Sequence, residues 1–392
     1  MSKKPELIVF SQYLLGGGAS FHRNLLGHMP ENSFDLKVIY LHPKTEAFTP
    51  SLEFIKRQTD VIFEYGDERL YDVIKRLSAH ISNSEGAIVA NLGLELYCLD
   101  IFPKNNKTIY FICHDSGFLD LAKKFDHVID VVIAHNREIF DTLKKLLPHR
   151  VDDIFFIPHG VELQCHSRAT KSAAPLRIAF LARHHQMKGI YDLLEINKLL
   201  TAGGVEVEWL IMGDGPERQN FIAQTKDLPN FHFAKPATNR DVLGELKRCD
   251  LFILPSRKDG LPVALLEAMS VGCVPLISAF SEGIREVVTN EIGYVVDVGN
   301  SKGFAEYIIA LHWNRDELTF KSSNSIESIA RNYNVKDRAK QYFDLYADYA
   351  KYKKTTRGSQ VARLLRKAYY FGASKLLNTR IVHLKRKLFN AL

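Results

Sequence analysis

The sequence of 392 residues lacks the features that mark membrane-spanning, secreted and zinc-binding proteins. No window holds 18 consecutive apolar residues, so no helix is expected to span a bilayer. Residues 1–15 have neither the long apolar core nor the small-residue cleavage site of a signal peptide. The five cysteines include no CxxC pair, which argues against a disulfide framework and a zinc site. We therefore expect a cytoplasmic protein with reduced thiols.

Common signatures of cofactor and metal binding are missing as well. The glycine run Gly16–Gly18 does not have G-x-G-x-x-G spacing and no Gly-Lys-Ser/Thr follows it, which argues against a nicotinamide site and a Walker loop. No Asp-x-Asp is present, so a metal–diphosphate complex has no obvious anchor. We predict no metal site and no cofactor.

Acidic residues are absent from residues 351–392, a segment that holds 12 Lys and Arg residues. One-signed charge of this kind indicates a polyanionic partner, either nucleic acid or an anionic membrane surface. No RNP, KH or helix-turn-helix signature supports nucleic acid. Apolar residues follow helical spacing with basic residues off the stripe, at Val361, Leu364, Leu365, Ala368 and Tyr369 and again at Leu377, Ile381, Leu384 and Leu388.

This basic tail is predicted to be an amphipathic helix that lies in the membrane interface, which places the protein peripherally at the inner membrane face. The alternative is a helical tail packed on the body or on a second subunit, since the same apolar stripe would serve either purpose.

Apolar strand-like runs alternate with amphipathic stretches in two series, one on each side of the polar segment 166–175. Buried strands separated by helices indicate βαβ units and parallel sheets covered on both faces. We predict an α/β fold of two Rossmann-like doubly wound domains facing a cleft, followed by the tail. The predicted boundaries are 1–168, 169–350 and 351–392. Open α/β sheets bind ligands outside the carboxyl ends of their strands.

Two cations follow the first strand of the second series: Arg183 at its end and Lys188 after a short loop. Fixed cations suit a diphosphate leaving group because they neutralise the charge that develops as its bond breaks. Two solvated surface charges are the alternative, and the residues alone favour it. His184 and His185 lie between the two cations without a third ligand at metal spacing.

Two carboxylates lie in the segment 254–277, with Asp259 in a Gly/Pro-rich loop and Glu267 on a predicted helix. Pro262 at the helix start directs the N–H groups of the first turn toward a phosphate or a sugar hydroxyl. Glu267 lies on an otherwise apolar face, and carboxylates are rarely buried without a partner. It is therefore either one half of a buried ion pair or an acceptor for a diol such as ribose.

The first series offers two candidate sites at strand ends. His114 follows the predicted strand 108–113, where it could bind or polarise a substrate hydroxyl, or serve as a structural histidine. Gly16–Gly18 either forms a flexible turn or brings the backbone close to a ligand at a helix N-terminus.

In their order along the chain, these segments resemble glycosyltransferase family 4, retaining enzymes of the GT-B fold with two Rossmann-like domains. The resemblance covers residues 6 to about 345 and is strongest over 177–280. It is carried by the glycine run after the first strand, His114-Asp115, Ile157 to Val161, Arg183 to Gly189, Gly213 to Pro216, and Asp259 through Glu267 to Pro275.

The resemblance implies a role for each candidate. Arg183 and Lys188 would hold the donor diphosphate, and Glu267 would bind the nucleotide ribose. One position departs from the family, which usually has Glu where this chain has Asp259, one methylene shorter. Gly17 and Gly18 would approach the phosphates and the acceptor. The residues that would contact the transferred sugar are His114, Asp259, Gly260, Leu261, Pro262 and Val263.

The resemblance further implies retention of anomeric configuration by front-face attack, in which the leaving phosphate oxygen takes the acceptor proton and no metal is required. The co-substrate would be a nucleotide-diphosphate sugar, and the acceptor a glycan or lipid-linked molecule of cell-surface polysaccharide or glycolipid synthesis. The alternatives are a non-catalytic nucleotide-sugar-binding subunit or another GT-B enzyme such as a phosphorylase or an epimerase.

Overall fold

The computed structural model describes residues 4–13, 16–44, 59–164, 175–236, 238–354 and 360–372. The chain divides into two compact units. The first consists of Met1–Pro158 together with Arg338–Leu392, and the second consists of His159–Asp337.

The first unit is built on a seven-stranded sheet in which all neighbouring strands are parallel. Its strands are β1 Glu6–Gln12, β2 Asp35–Pro43, β3 Val61–Tyr65, β4 Gly86–Ala90, β5 Lys107–Cys113, β6 Val131–Ala134 and β7 Ile154–Phe156. They lie in the order β3-β2-β1-β4-β5-β6-β7. Every residue of β4, β5 and β6 is buried, as expected for parallel strands covered on both faces.

Helices connect these strands and cover the sheet. They are α1 Gly17–Gly27, α2 Leu70–Ala79, α3 Leu94–Ile101, α4 Leu119–Lys124 and α5 Arg137–Leu146, with 3₁₀ turns at Ser116–Phe118 and Pro148–Asp153.

The second unit contains a six-stranded sheet, also parallel throughout, in the order β10-β9-β8-β11-β12-β13. Its strands are β8 Leu176–Leu181, β9 Val207–Met212, β10 Phe231–Ala234, β11 Leu251–Leu254, β12 Val274–Ser278 and β13 Tyr294–Val296. Its helices are α6 Asp192–Ala202, α7 Arg218–Thr225, α8 Asn239–Leu246, α9 Val263–Ser270, α10 Ile284–Val287, α11 Ser301–Trp313 and α12 Arg315–Asn332, with a 3₁₀ turn at Gln186–Lys188.

The predicted fold class is confirmed, because both units are Rossmann-like doubly wound parallel sheets. In each sheet the strand order reverses beside the first strand of the unit, between β1 and β4 and between β8 and β11. These reversals are the points at which open α/β sheets bind ligands.

The last described elements are α13 Val335–Ala347, α14 Tyr349–Tyr352 and α15 Gln360–Gly372. From Arg338 onward this segment belongs to the first unit. Tyr110 Oη donates to Leu345 O at 2.7 Å, and Thr108 Oγ1 donates to Tyr349 O at 2.6 Å. The division into compact units differs from the predicted 1–168, 169–350 and 351–392, because the segment from Arg338 returns to the first sheet.

Helix α15 packs on α2 and α3 through one side and exposes the other. Arg366 Nε donates to Asp100 Oδ1 at 2.8 Å, and the Tyr370 side chain is buried. On the other side, Leu364 and Leu365 are 60% and 68% exposed. The described part of the tail therefore packs on the body, as the alternative prediction has it, and also presents apolar side chains to solvent. The remaining predicted stripe positions fall into two groups. The side chains of Val361 and Ala368 are not described, and Leu377, Ile381, Leu384 and Leu388 lie outside the described residues.

Within the residues that the structure describes, we find no helix with the length and hydrophobicity needed to cross a membrane.

Candidate functional site

The candidate site of the second unit lies where the strand order reverses, between β8 and β11. The loop after β8 carries Arg183 and Lys188, and the loop after β11 carries Asp259. Because β8 and β11 are parallel neighbours, these two loops leave the same edge of the sheet side by side. The structure therefore places two residues predicted to bind phosphate on a loop next to the one that carries a residue predicted to bind the sugar.

An ion pair joins the two loops. Lys188 Nζ lies 2.6 Å from Asp259 Oδ2, and both side chains are mostly buried. Asp259 Oδ1 accepts a hydrogen bond from the Gly260 amide at 3.2 Å. Arg183 is exposed on the same loop as Lys188. The sequence analysis assigned Lys188 to the donor diphosphate and Asp259 to the transferred sugar. In the structure the two side chains are paired with each other.

Backbone contacts fix the spacing of these loops. The Arg257 amide donates to Met187 O at 2.8 Å, and the Arg257 guanidinium forms an ion pair with Asp192 that raises the pKa of Arg257. Gly189 has φ +71°, and a Cβ there would lie 2.2 Å from Pro255 O. Only glycine allows this close approach, so Gly189 and Arg257 hold Lys188 against Asp259.

Helix α9 begins at the end of the second loop and carries Glu267. Pro262 is its N-cap residue and has no amide hydrogen, so ligand contacts in this turn depend on the amides of Gly260, Leu261 and Val263. The side chains of Leu261 and Val263 are buried and hold the turn in place. The structure thus places these predicted donor-binding residues in one turn between Asp259 and Glu267.

Glu267 is 5% exposed and has a partner that the sequence analysis missed. Asn239 Nδ2 donates to Glu267 Oε1 at 2.7 Å. Asn239 is the first residue of α8, after the N-cap Thr238, whose capping box with Asp241 is a recognisable sequence signal. That signal locates the helix start, but it does not predict that the Asn239 side chain turns toward α9.

His184 holds the loop after β8 to the loop after β9. Its amide donates to Asp214 O at 2.9 Å, and its carbonyl accepts from the Glu217 amide at 3.0 Å. Gly215 passes so close that a Cβ would lie 2.5 Å from His184 O. Burial lowers the pKa of His184 to about 4, so the ring is neutral near pH 7.

The candidates of the first unit lie at the carboxyl edge of its sheet. His114 follows β5, and its ring meets those of Phe21 at 5.7 Å, Phe118 at 5.7 Å and His135 at 4.7 Å between centroids. Burial lowers the pKa of His114 to about 4, which keeps the imidazole neutral near pH 7. His135, which directly follows β6, was not singled out from the sequence.

Gly17 and Gly18 form the first turn of α1, one turn before Phe21. A Cβ built on Gly18 would meet nothing within 4 Å, so space is available at this helix start.

His22, on the same helix, bonds through Nδ1 to Ser11 Oγ at 3.0 Å. Its Nε2 contacts Asn91 Nδ2 at 2.9 Å, and burial lowers the pKa of His22 to about 3.

The second unit matches a known protein family over most of its length. Residues 166–333 match a protein-family model. The model is that of the group 1 glycosyl transferases. The matched segment is less than half of the chain, and it contains every candidate residue of the second unit.

Several curated relatives of the chain are named as glycosyltransferases. WcaL of Escherichia coli K12, whose name proposes a glycosyltransferase role in colanic acid biosynthesis, is 31% identical over 178 residues, which cover 41% of this chain and 42% of WcaL. An Escherichia coli galactosyltransferase named for UDP-Gal and a GlcNAc-diphosphoundecaprenol acceptor is 31% identical over 109 residues, or 28% of each chain. The chain spans less than half the length of the curated relatives it matches.

Solved structures share the fold over most of the chain. HepE of Anabaena, solved with UDP and glucose, gives a TM-score of 0.70 at 14% identity and covers 87% of this chain and 99% of HepE. Sucrose-phosphate synthase of Thermosynechococcus elongatus gives 0.69 at 14% identity, with 88% and 98% covered. At these identities the likeness establishes the two-unit Rossmann-like architecture of the GT-B fold.

Proposed function

We propose that the chain is a retaining glycosyltransferase of family 4 that transfers a sugar from a nucleotide-diphosphate sugar. The observation that carries the proposal is the Lys188–Asp259 pair at the strand reversal of the second unit, with Glu267 on the following helix. A sugar diphosphate presents both charged oxygens and hydroxyl groups, so it requires cations and carboxylates at one site. The match of residues 166–333 to the group 1 glycosyl transferases supports the glycosyl-transfer part of this proposal.

The residues divide the work in this proposal. Arg183 and Lys188 hold the donor diphosphate, and Lys188 exchanges its contact with Asp259 for a phosphate oxygen. Asp259, released from Lys188, accepts hydrogen bonds from the sugar hydroxyls together with the nearby amides. Glu267 accepts a hydrogen bond from the ribose. In this proposal His114 of the first unit contacts the transferred sugar. Gly17 and Gly18 come close to the phosphates and the acceptor.

The bond between the anomeric carbon and the diphosphate oxygen breaks in the reaction, and the acceptor hydroxyl forms a new bond on the same face. The leaving phosphate oxygen takes the acceptor proton, so the products are a glycoside with retained configuration and a nucleoside diphosphate. Arg183 and Lys188 stabilise the negative charge that develops on this oxygen, and the site contributes positioning and electrostatic stabilisation. No metal is needed in this scheme.

The proposed acceptor is a glycan or a lipid-linked molecule of cell-surface polysaccharide or glycolipid synthesis. Support comes from relatives named for colanic acid and amylovoran biosynthesis and from one named for a diphosphoundecaprenol acceptor. We further propose that the enzyme acts at the cytoplasmic face of the membrane. The exposed apolar side chains of α15, next to Arg363 and Lys367, are the surface we assign to anionic lipid.

The proposal is tested by incubating the full chain with a panel of UDP, GDP and ADP sugars and an undecaprenyl-diphosphate-linked acceptor, with and without EDTA. We expect one donor to be consumed in both conditions, and NMR of the product to give the donor's anomeric configuration. Donor binding without turnover would instead favour a non-catalytic nucleotide-sugar-binding subunit. Inversion, or loss of activity in EDTA, would contradict the retaining or the metal-independent part of the proposal.

A further inference from the structure

We propose that Asn239 is a positioning residue that holds the Glu267 carboxylate in place, and that it thereby sets the preference of the site for ribose over deoxyribose. This inference rests on the proposed function, because it uses the assignment of Glu267 to the nucleotide ribose. It adds a residue from α8 to a site otherwise built from the loops after β8 and β11 and from α9.

The first step is the contact itself. Asn239 Nδ2 lies 2.7 Å from Glu267 Oε1, the length of a strong charge-assisted hydrogen bond. Glu267 is 5% exposed, so its carboxylate has lost most of its water and depends on protein donors. A carboxylate accepts about four hydrogen bonds through its two oxygens, so the bond from Asn239 leaves capacity for a ligand.

The second step is the chemistry of the donor. A lysine or arginine at position 239 would neutralise Glu267 and compete with a ligand for both oxygens. The neutral amide of Asn239 fixes the rotamer of the carboxylate and leaves its negative charge intact. A diol donates two hydrogen bonds to such a carboxylate, whereas a deoxyribose has lost one of the two hydroxyls.

The third step is that α8 begins independently of Asn239. Thr238 Oγ1 accepts from the Asp241 amide at 3.2 Å, and the Thr238 amide donates to Asp241 Oδ2 at 3.0 Å. This capping box fixes the start of the helix with side chains other than that of Asn239. Substitution of Asn239 is therefore expected to leave α8 in place and to change the orientation of Glu267.

The experiment compares paired ligands by calorimetry on the full chain. UDP, GDP and ADP are each titrated beside their 2′-deoxy counterparts into the wild type, Asn239→Ala and Asn239→Asp. For the base that binds, we expect the wild type to prefer the ribonucleotide about tenfold or more. Asn239→Ala should reduce this preference to about threefold or less, mainly by weakening the ribonucleotide, and Asn239→Asp should abolish it because a second carboxylate repels Glu267.

Asn220→Ala is the matched control, because Asn220 is an exposed asparagine on α7 whose amide donates to Tyr191 Oη. It should retain the wild-type preference, and melting curves should show that all variants are folded. An Asn239→Ala variant that keeps the full ribose preference would overturn this inference and leave the proposed function standing. Equal binding of both sugars by the wild type would overturn the assignment of Glu267 to ribose, and with it the inference. A wild type that binds none of the nucleotides would overturn both proposals.

Discussion

Lys188 Nζ and Asp259 Oδ2 form an ion pair of 2.6 Å between residues 71 positions apart in the chain. Each group is the charged partner of the other, so the pair leaves neither charge uncompensated in its mostly buried loop. In the proposed reaction a donor diphosphate competes with Asp259 for Lys188. The pair therefore links binding of the phosphates to release of the carboxylate that would contact the sugar.

Removal of the loop cations should reduce transfer far more than stability. We expect Arg183→Ala and Lys188→Ala each to lower kcat about 10²-fold or more, the order seen when one preorganised group that stabilises developing charge is removed. The melting temperature of Arg183→Ala should change little, because an exposed loop cation contributes about 1 kcal/mol or less. Lys188→Ala should cost more stability than Arg183→Ala, because it leaves the mostly buried Asp259 carboxylate without this partner. Steady-state kinetics and thermal melts test this prediction. Lys226→Ala, at an exposed lysine of the same unit, is the control. Near-normal turnover in both loop variants would remove the diphosphate assignment.

The two carboxylates should separate nucleotide binding from sugar binding. Glu267→Gln should weaken a bare nucleoside diphosphate, because a charged acceptor to a hydroxyl contributes about 1.5–3 kcal/mol. Asp259→Asn should bind the bare nucleotide at least as well as the wild type, since Lys188 no longer has a charged partner. It should bind or transfer the complete donor poorly. Calorimetry with nucleotide and with intact donor distinguishes these cases. The assignment is wrong if Asp259→Asn weakens the bare nucleotide as much as Glu267→Gln does.

The strands and the fold class were predictable because the hydrophobic pattern alone determines them. In a parallel sheet covered on both faces, each strand is a short run of apolar residues, as in β5 and β11, and such runs are visible without tertiary information. Helix α12 was not predicted, since its middle carries Ser322, Ser323, Asn324 and Ser325, which are weak helix formers. Ser322 Oγ donates to Gly272 O at 2.6 Å, so tertiary contacts stabilise this helix.

The candidate site was predictable as a set of residue types at strand ends, but not as a set of contacts. The Lys188–Asp259 and Asn239–Glu267 bonds join segments from different βα units, and local pattern carries no information about such pairs. The return of the chain from Arg338 to the first unit was missed for the same reason. It depends on side chains such as Tyr110 reaching the backbone of residues far along the chain.

His22 should make folding stability depend on pH. Asn91 Nδ2 donates to Phe10 O and faces His22 Nε2, so Nε2 is the unprotonated nitrogen and Nδ1–H donates to Ser11 Oγ. Burial lowers the pKa of His22 from 6.5 to about 3, so between these values the unfolded chain binds a proton that the folded chain does not. The free energy of unfolding should therefore fall as pH drops below about 6.5, by up to about 1.4 kcal/mol per pH unit.

Urea denaturation at pH 7, 6 and 5 measures this dependence. His22→Asn should be less stable than the wild type at pH 7 and should lose less stability than the wild type on acidification. Asn220→Ala, at an exposed asparagine on α7, should keep the wild-type dependence because the substitution removes no titratable group. An unchanged slope in His22→Asn would show that His22 is not the group that titrates.

Helix α15 should use its two sides for different purposes. The side with Tyr370 packs on the first unit, where Arg366 bonds to the buried carboxylate of Asp100. Tyr370→Ala should therefore lower the melting temperature, because loss of a buried aromatic side chain costs about 3–5 kcal/mol. Leu364→Ser with Leu365→Ser should leave the melting temperature unchanged, since both leucines are mostly exposed. Thermal melts of the two variants show whether the packing side and the solvent side are distinct.

The solvent side of α15 should bind anionic lipid. Leu364, Leu365 and Tyr369 can insert into the interface while the basic residues of 351–392 meet the headgroups, each contributing about 1 kcal/mol near an anionic surface. We expect the full chain to sediment with phosphatidylglycerol vesicles but not with phosphatidylcholine vesicles, and to be released by salt.

The double leucine variant should bind about tenfold or more weakly, because a Leu side chain contributes about 1.5–3 kcal/mol when it is buried in apolar surroundings. Trp313→Ser, at an exposed aromatic residue of the second unit, is the control and should bind like the wild type. Equal sedimentation of the leucine variant, or binding independent of anionic lipid and salt, would contradict the assignment and leave α15 with a packing role alone.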